Sequence, residues 1–361
     1  MKKRLAFSCA GEGFGHIARI VALSEQLKDR FDLIFFVPET VQNFLFTHLG
    51  DVTVVTIPSF QFVLKDHGVD YFETSKVNIN HVLRFRNITS RIQDQLRELQ
   101  VDALVCDFEP FVSRAAAGIG LPFLNLNHPG IVLKTFSLSF NGLISRAVAR
   151  FMTPRAQETL FCSFFNGEVG PIIRKEIREK TTAREDFYLV YTKKDSREKM
   201  MNYLAEFPEH NFDVYPRQTG DFADSLSRCK GVIAPAGHQL LSEALYLGKP
   251  VLAFPQKNQY EQKINARMLE KSGYGIHGRF FRMKKDMIRF FGKIDGLPSK
   301  QNRFERFKFT DDTDYIVDYI AGFVETQTAG EPSRLYRYTY LDTIQEKLDI
   351  VQQELSGILQ A

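Results

Sequence analysis

Residues 230–266 constrain the fold of this chain more than any other stretch. A short apolar run at 232–234 is broken by Pro-Ala-Gly at 235–237, and apolar residues then recur at helical spacing between 240 and 245. A Gly-Lys-Pro sequence ends this helix, and a second apolar run follows at 251–254. The pattern predicts a strand, a tight loop, a helix and a second strand, which is typical of a parallel sheet in an α/β protein.

The junction between the predicted loop and helix has the features of a phosphate site. The backbone amides of Gly237, His238 and Gln239 begin the helix, where N–H groups have no intrahelical partner. The positive end of the helix favours an anion, and a glycine leaves room for its close approach. Glu243 follows one and a half turns later, where its carboxylate could accept hydrogen bonds from the two hydroxyls of a ribose.

The same residues carry a family resemblance. The sequence AGHQLLSEALYLGKPVLAFP at 236–255, followed by EQKINA at 261–266, resembles the donor-binding half of the GT-B glycosyltransferases. These enzymes include the lipid II-forming N-acetylglucosaminyltransferase and the UDP-glucuronosyltransferases. The resemblance implies an α/β fold of two Rossmann-like domains whose parallel sheets face each other across a cleft.

The resemblance also assigns donor-binding roles to residues of the second half. The glycine loop would contact the donor diphosphate, together with a loop after a predicted strand at 188–191. A glutamate would contact the ribose, and a polar pair on the next helix would contact the sugar hydroxyls. The diphosphate contacts would come from Gly237, His238 and Gln239 with Thr192, the ribose contact from Glu243, and the sugar contacts from Glu261 and Gln262. Because the first member of the pair is Glu here rather than Asp or Gln, the sugar stays open.

Length and resemblance together predict the domain organisation. At 361 residues, the chain exceeds a typical single core, which favours two domains. We expect an acceptor domain at residues 1–170, a linker at 171–185, a donor domain at 186–325 and a final helix at 326–361 that crosses back to the first domain.

Composition excludes several other classes of protein. The net charge of +4 is too small to indicate a nucleic-acid partner. The cysteines show no metal-binding spacing, and we expect them to be reduced and buried: Cys9, Cys106, Cys162 and Cys229. No apolar stretch approaches the length of a membrane-spanning helix. These features predict a cytoplasmic globular protein.

The first 40 residues admit two interpretations. The sequence predicts a strand at 5–9, a glycine loop at 11–16, a helix at 17–27 and a strand at 33–37 ending near Glu39. This order is also typical of a dinucleotide-binding dehydrogenase. However, the glycines follow GxGxG rather than GxGxxG. The resemblance instead implies that this loop, with Gly13 and Gly15, faces the acceptor, and we favour that interpretation because a second phosphate loop exists downstream.

His16 and Asp107 are the candidate catalytic residues. His16 lies at the mouth of the first strand, where an imidazole could accept a proton from a sugar hydroxyl; alternatively, it caps the helix or packs in the loop. Asp107 ends a predicted strand at 103–106, at the edge where open α/β sheets bind ligands. It could orient His16, act as the base itself, or cap the next helix. Acceptor-side candidates at the same rim are Glu109, Asn127 and His128.

Two further patterns bear on partners. Residues 143–155 form a basic amphipathic helix, compatible with contact to the inner face of a membrane that holds a lipid-linked acceptor, although such stripes more often pack in a core. Asp312, Thr313 and Asp314 spell the DxD motif of metal-dependent transferases. Since this motif precedes a predicted helix with no strand before it, capping explains it better. We expect neither a metal nor a cofactor.

These expectations combine into one functional prediction with two alternatives. The chain would be an inverting glycosyltransferase that moves a sugar from a nucleoside-diphosphate sugar to a hydroxyl acceptor, lipid- or glycan-linked among the options. His16 or Asp107 would deprotonate the acceptor, and the diphosphate would leave toward Gly237. The alternatives are a UDP-sugar 2-epimerase and a non-catalytic sensor of sugar nucleotides.

Overall fold

A computed structural model describes residues 2–65, 68–217, 219–297 and 307–326. The described chain divides into two compact units, one of residues 2–61, 76–170 and 314–326 and the other of residues 62–75 and 171–313. The predicted helix that crosses back to the first domain lies, beyond residue 326, outside the described residues. No helix within the described ranges is long and apolar enough to span a bilayer.

The helices and strands alternate along most of the chain. As far as residue 170, they are β1 (Arg4–Cys9), α1 (Phe14–Leu27), β2 (Asp32–Val37), α2 (Glu39–Leu49), β3 (Thr53–Thr56), β4 (Leu64–Lys65), β5 (Gly68–Val69), α3 (Tyr71–Leu83), α4 (Phe85–Glu98), β6 (Ala103–Asp107), α5 (Pro110–Gly118), β7 (Phe123–Asn127), α6 (Phe140–Met152) and β8 (Glu158–Phe161). The rest are α7 (Lys175–Arg178), β9 (Tyr188–Tyr191), α8 (Lys194–Leu204), β10 (Phe212–Tyr215), α9 (Phe222–Arg228), β11 (Gly231–Pro235), α10 (His238–Tyr246), β12 (Val251–Phe254), α11 (Tyr260–Ser272), β13 (Gly275–His277), α12 (Met283–Lys293) and α13 (Thr313–Thr326).

Each unit is built on one parallel sheet. The first sheet has the order β3-β2-β1-β6-β7-β8 and the second the order β10-β9-β11-β12-β13, with every neighbouring pair parallel. Strands β6, β7 and β12 are buried along their whole length, as expected of strands covered on both faces. The predicted α/β architecture with two parallel sheets is confirmed.

The strand orders determine where ligands would bind. In the first sheet the order reverses between β1 and β6, and in the second between β9 and β11. Open α/β sheets bind ligands beyond the carboxyl ends of strands at such a switch point. His16 follows β1 and Asp107 ends β6, while Thr192 follows β9 and Gly237 follows β11. These four predicted site residues therefore lie at the switch point of their own sheet.

Several elements differ from the sequence-based expectations. Apolar spacing predicts one long helix at 77–100, and mixed polarity predicts a loop at 63–71. The structure instead has two helices, α3 and α4, and the short antiparallel pair β4 and β5. Helix α13 packs in the first unit, where Lys3 Nζ donates to the Val324 carbonyl at 2.8 Å. The stretch predicted as a linker contains α7 and belongs to the second unit.

Candidate active site

His16 lies in the first turn of α1 and not in a loop, because the helix begins at Phe14. Gly13 precedes it with φ +75°, a left-handed conformation that glycine adopts without strain. This glycine is therefore required by the backbone, and Gly15 falls inside the helix. The helical start directs Nδ1 of His16 to within 2.8 Å of Oδ1 of Asp107. The two candidate catalytic residues are thus brought into contact.

Asp107 also contacts a residue that the sequence analysis missed. Arg19 is 4% exposed, and its Nε and Nη2 donate to Oδ2 and Oδ1 of Asp107, each at 3.0 Å. The same Nη2 lies 3.0 Å from Nδ1 of His16. Arg19 follows His16 by three residues, so both lie on one face of α1. The sequence signal that could have revealed Arg19 is a single cation among the apolar residues of a predicted helix.

Helix α5 is capped by Glu109 and not by Asp107. Both oxygens of the buried Glu109 carboxylate accept backbone hydrogen bonds, from Phe111 N at 2.7 Å and Val112 N at 2.8 Å. Burial raises the pKa of Glu109 to about 7, against the opposing effect of these two amides. Asp107 is therefore left to interact with His16 and Arg19.

The other acceptor-side candidates are also buried. Asn127 is 0% exposed, and its Oδ1 accepts from Gly130 N at 2.8 Å. His128 is 1% exposed, and its Nδ1 lies 3.1 Å from the Cys162 carbonyl, which only accepts hydrogen bonds. Together with Glu109, these residues hold the loops after β6 and β7 in place, so they shape the rim without presenting their side chains to solvent.

The cysteines near this site are buried and free. Burial raises the pKa of Cys106 and of Cys162 to about 12, and it raises that of Cys9 well above its usual range. These thiols are protonated at neutral pH and are poor nucleophiles. Among the candidate residues around this site, the His16 imidazole and the Asp107 carboxylate remain in contact with each other.

In the second unit, Gly237 is the N-cap of α10 and occupies an ordinary extended conformation, with φ −70° and ψ 130°. A Cβ added there would meet no atom within 4 Å. Neither backbone strain nor packing therefore requires glycine at this position. The open space above the first amides of α10 is the feature expected where a phosphate approaches a helix N-terminus.

Glu243 lies on α10 with its carboxylate already engaged. Arg174 donates from Nε to Oε1 at 2.7 Å and from Nη2 to Oε2 at 2.8 Å, while Gln239 Nε2 donates to Oε1 at 2.9 Å. Glu243 is 1% exposed. Burial opposes the charge of Arg174, but the adjacent Glu243 carboxylate raises the pKa of Arg174, so the guanidinium stays charged. The sequence analysis assigned Arg174 to the linker, and no local pattern marks a partner 69 positions away.

The remaining donor-side candidates have neighbours in their own unit. Thr192 is 2% exposed, and Gln262 Oε1 accepts from Gln256 N at 3.0 Å. Glu261 Oε1 accepts from Asn265 Nδ2 at 2.7 Å, and His238 Nε2 lies 3.1 Å from Ser242 Oγ. These contacts orient the start of α11 and the first turn of α10.

The loop before α11 is held by a segment from the first half of the chain. Val69 N donates to the Lys257 carbonyl at 3.1 Å, and Asn258 Nδ2 donates to the Val69 carbonyl at 3.0 Å. The Tyr71 hydroxyl donates to the Asn258 carbonyl at 3.0 Å. These bonds fix the entry to the helix that carries Glu261. Because they connect residues almost 190 positions apart, the sequence analysis did not find them.

The DxD motif lies at the start of α13, where the sequence analysis expected a helix cap. Asp312 Oδ2 accepts from Lys308 Nζ at 3.1 Å, and Asp314 Oδ1 accepts from Gln26 Nε2 at 2.9 Å. Within the described ranges, no group of three or more His, Cys, Asp or Glu side chains is arranged to hold a metal ion.

The chain has two units, each built on a parallel sheet, and predicted site residues follow the strands at the switch point of each sheet. This is the fold of the GT-B glycosyltransferases. A profile described as Glycosyl transferase family 1 matches residues 3–294, and the chain belongs to that family. An uncharacterized glycosyltransferase of Methanosarcina mazei is 36% identical over 105 residues, which cover 29% of this chain and 26% of that protein. The chain thus aligns with about a quarter of this curated relative's length.

Solved structures share the fold at low sequence identity. MurG of Acinetobacter baumannii is 15% identical with a TM-score of 0.54, over 89% of this chain and 99% of that one. A UDP-glucosyltransferase from Polygonum tinctorium is 14% identical with a TM-score of 0.63, over 90% of this chain and 99% of that one. Both resemblances concern the fold.

Proposed function

We propose that this protein is an inverting glycosyltransferase that transfers a sugar from a nucleoside-diphosphate donor to a hydroxyl acceptor. The observation that carries the proposal is the 2.8 Å contact between His16 and Asp107 at the switch point of the first sheet, in a chain that belongs to Glycosyl transferase family 1. The first unit would supply the base, and the second unit would bind the nucleotide.

His16 has the geometry of a general base. When Nδ1 carries the proton and donates it to the Asp107 carboxylate, Nε2 keeps its lone pair and can accept the proton of an acceptor hydroxyl. Asp107 holds Nδ1 in this orientation while Nε2 takes up the proton. The acceptor oxygen attacks the anomeric carbon in one displacement as the bond to the diphosphate breaks, which inverts the configuration at that carbon.

The N-terminus of α10 would stabilise the leaving diphosphate. Its amides and helix dipole place positive charge where negative charge develops, in the way that preorganised dipoles act in other enzymes. The space beside Gly237 would admit the phosphate oxygens. We include metal independence in the proposal because these amides would supply the charge stabilisation that a metal otherwise provides.

Glu243 would hold the ribose through Oε2. Its Oε1 accepts two hydrogen bonds, whereas Oε2 accepts one from Arg174. An ionised carboxylate has about four acceptor positions, so Oε2 retains capacity for a ribose hydroxyl. Glu261 and Gln262, at the start of α11, would face the sugar. This donor assignment rests on their family resemblance and on the position of α11 after β12.

The acceptor would be carried on a lipid at a membrane surface. Helix α6 and its N-terminal flank expose apolar side chains, including Phe140 at 72% and Leu143 at 54%. Arg150 and Arg155 are exposed on the same segment, and residues 138–157 contain no acidic residue. Apolar side chains on the same segment as exposed cations suit an anionic bilayer surface.

Ligand-induced stabilisation tests the donor site. In a panel of nucleotide sugars and nucleoside diphosphates, we expect at least one to raise the unfolding temperature of the wild-type protein, since ligand at 100 times its dissociation constant adds about 2.7 kcal/mol. Gly237→Ala should reduce that shift because a methyl group enters the open space. Gly292→Ala is the matched control, since a Cβ there also meets no atom within 4 Å. Equal shifts in both variants would refute phosphate binding at Gly237.

Product analysis tests the reaction itself. With the donor identified, the wild-type protein should release nucleoside diphosphate only when an acceptor alcohol is present, and proton NMR should show an inverted anomeric centre. His16→Gln should lower the rate by about 10²- to 10⁴-fold, the usual contribution of a general base. Epimerisation of a UDP-sugar without acceptor would replace the transferase by an epimerase, and an unchanged rate in His16→Gln would exclude His16 as the base.

A further inference from the structure

We propose that Arg19 keeps His16 neutral at neutral pH by acting as the permanent counter-ion of Asp107. Arg19 is a positioning residue in this proposal, because it acts on His16 through the shared carboxylate. The inference rests on the proposed role of His16 as the base, but its test reads the charge of His16 directly and needs no substrate.

The geometry makes Arg19 the principal partner of the carboxylate. Its guanidinium contacts both oxygens of Asp107, with Nε at 3.0 Å from Oδ2 and Nη2 at 3.0 Å from Oδ1. The Arg19 and Asp107 side chains are 5% and 4% exposed. A forked arginine–carboxylate pair is strong and directional, and removing one partner of a buried pair leaves an uncompensated charge.

The charge of Asp107 and its compensation determine whether His16 is protonated before an acceptor binds. A buried carboxylate without a counter-ion would draw a proton onto the adjacent imidazole and form an imidazolium–carboxylate pair. With Arg19 present, the negative charge is already compensated, and a protonated His16 would lie about 3 Å from a guanidinium nitrogen. Like charges at that distance repel. His16 therefore stays neutral, and a neutral imidazole is the form that can accept the proton of an acceptor hydroxyl.

The described groups around the pair of His16 and Asp107 include an aromatic ring and two uncharged thiols. The Phe108 ring stacks on the imidazole with the ring centroids 6.0 Å apart. The thiols of Cys9 and Cys162 have raised pKa values and stay uncharged at neutral pH. Glu109 directs its carboxylate to the amides of α5, and Glu12 precedes α1 in the chain. Arg19, on the helix of His16 itself, and Asp107, at the end of β6, are the charged groups seen in direct contact with the ring.

Nitrogen-15 NMR of histidine-labelled protein tests the proposal. In the wild-type protein at pH 7.5, we expect His16 to show one protonated and one unprotonated ring nitrogen, with assignment by His16→Gln. In Arg19→Met both nitrogens should be protonated at that pH. Arg19→Lys should restore the neutral ring because it keeps the positive charge. Arg30→Met is the control, since it removes an exposed arginine of the same unit.

Asp107→Asn supplies an independent outcome in case Arg19→Met does not fold. Because it removes the negative charge and keeps the shape of the side chain, we expect His16 to stay neutral but to carry its proton on Nε2, with Nδ1 accepting from Arg19. A neutral His16 in Arg19→Met would overturn the proposal, and so would a doubly protonated His16 in Asp107→Asn, where no negative charge remains to draw the proton. Loss of transferase activity in every variant would leave these NMR outcomes readable.

Discussion

At the scale of single residues, the pair of Arg174 and Glu243 gives the most direct stability prediction. Glu243 is 1% exposed, and Arg174 supplies two of its hydrogen bonds. Arg174→Met would leave this buried carboxylate with Gln239 as its main remaining donor, which should destabilise the second unit by about 3–5 kcal/mol. Urea denaturation measures the loss.

A double variant separates the charge from the packing. Arg174→Met combined with Glu243→Gln removes both charges, so it should recover much of the lost stability. Arg228→Met, which breaks exposed ion pairs with Glu185 and Asp224, is the control and should change the denaturation midpoint little. An Arg174→Met protein as stable as the wild type would contradict the importance of the Arg174–Glu243 pair.

The residues that were predicted and those that were missed differ in a physical way. His16, Asp107 and Gly237 follow directly after recognisable strands, and parallel strands bring their carboxyl ends to one edge of a sheet. Arg19 and Arg174 act through carboxylates 88 and 69 positions away, so their partners depend on tertiary packing that local periodicity does not encode. Sequence analysis therefore located residues at the carboxyl ends of strands but not the counter-ions of the acids there.

At the scale of elements, the cap of α5 should make stability depend on pH. The pKa of Glu109 is raised by burial from 4.5 to about 7. Between pH 4.5 and 7 the folded protein holds a proton on Glu109 that the unfolded chain has released. The stabilisation from this protonation is therefore fully present below pH 4.5 and is lost as the pH rises through 7. The full difference corresponds to about 3 kcal/mol. We expect the free energy of unfolding to fall over this window.

Glu109→Gln tests the cap because glutamine does not titrate. Its free energy of unfolding should vary less between pH 4.5 and 7.5 than that of the wild type. Asp221→Asn is the matched control: Asp221 caps α9 through two backbone amides, but Lys180 holds its pKa below the usual value. Its contribution is lost only as pH falls through that low pKa, so this variant should keep the wild-type slope. If the free energy of unfolding of Glu109→Gln varied with pH as much as that of the wild type, a group other than Glu109 would cause the pH dependence.

The elements that sequence analysis missed are those with weak local signals. Helix α3 ends and α4 begins around Arg84, with neither proline nor glycine at the break. Strand β13 has three residues, and β4 and β5 have two each. Short elements like these form because longer strands or distant loops already lie beside them, as β13 pairs with β12. Periodicity needs a longer window than they offer.

At the scale of the whole molecule, the repeated alternation of strands and helices was enough to predict two parallel sheets. A parallel connection needs a crossover, and helices at the observed spacing provide it. The amphipathic pattern at 143–155 was harder to interpret, since such stripes more often pack in a core. In the structure Ala149 and Met152 are buried, whereas Phe140 and Leu143 are exposed. The exposed part of this helix therefore needs its own explanation.

Membrane binding would provide that explanation, and vesicle sedimentation measures it. We expect the protein to bind vesicles containing phosphatidylglycerol more tightly than vesicles of phosphatidylcholine alone, with weaker binding at high salt because the cations are screened. Phe140→Ser with Leu143→Ser should weaken binding about tenfold or more, since two apolar side chains are lost from the contact. The matched control is Phe281→Ser with Ile288→Ser, which removes an exposed phenylalanine and an exposed aliphatic side chain from the second unit. Equal losses in the two double variants would show that α6 is not the binding face, and equal affinity for both lipid compositions would remove the charge argument.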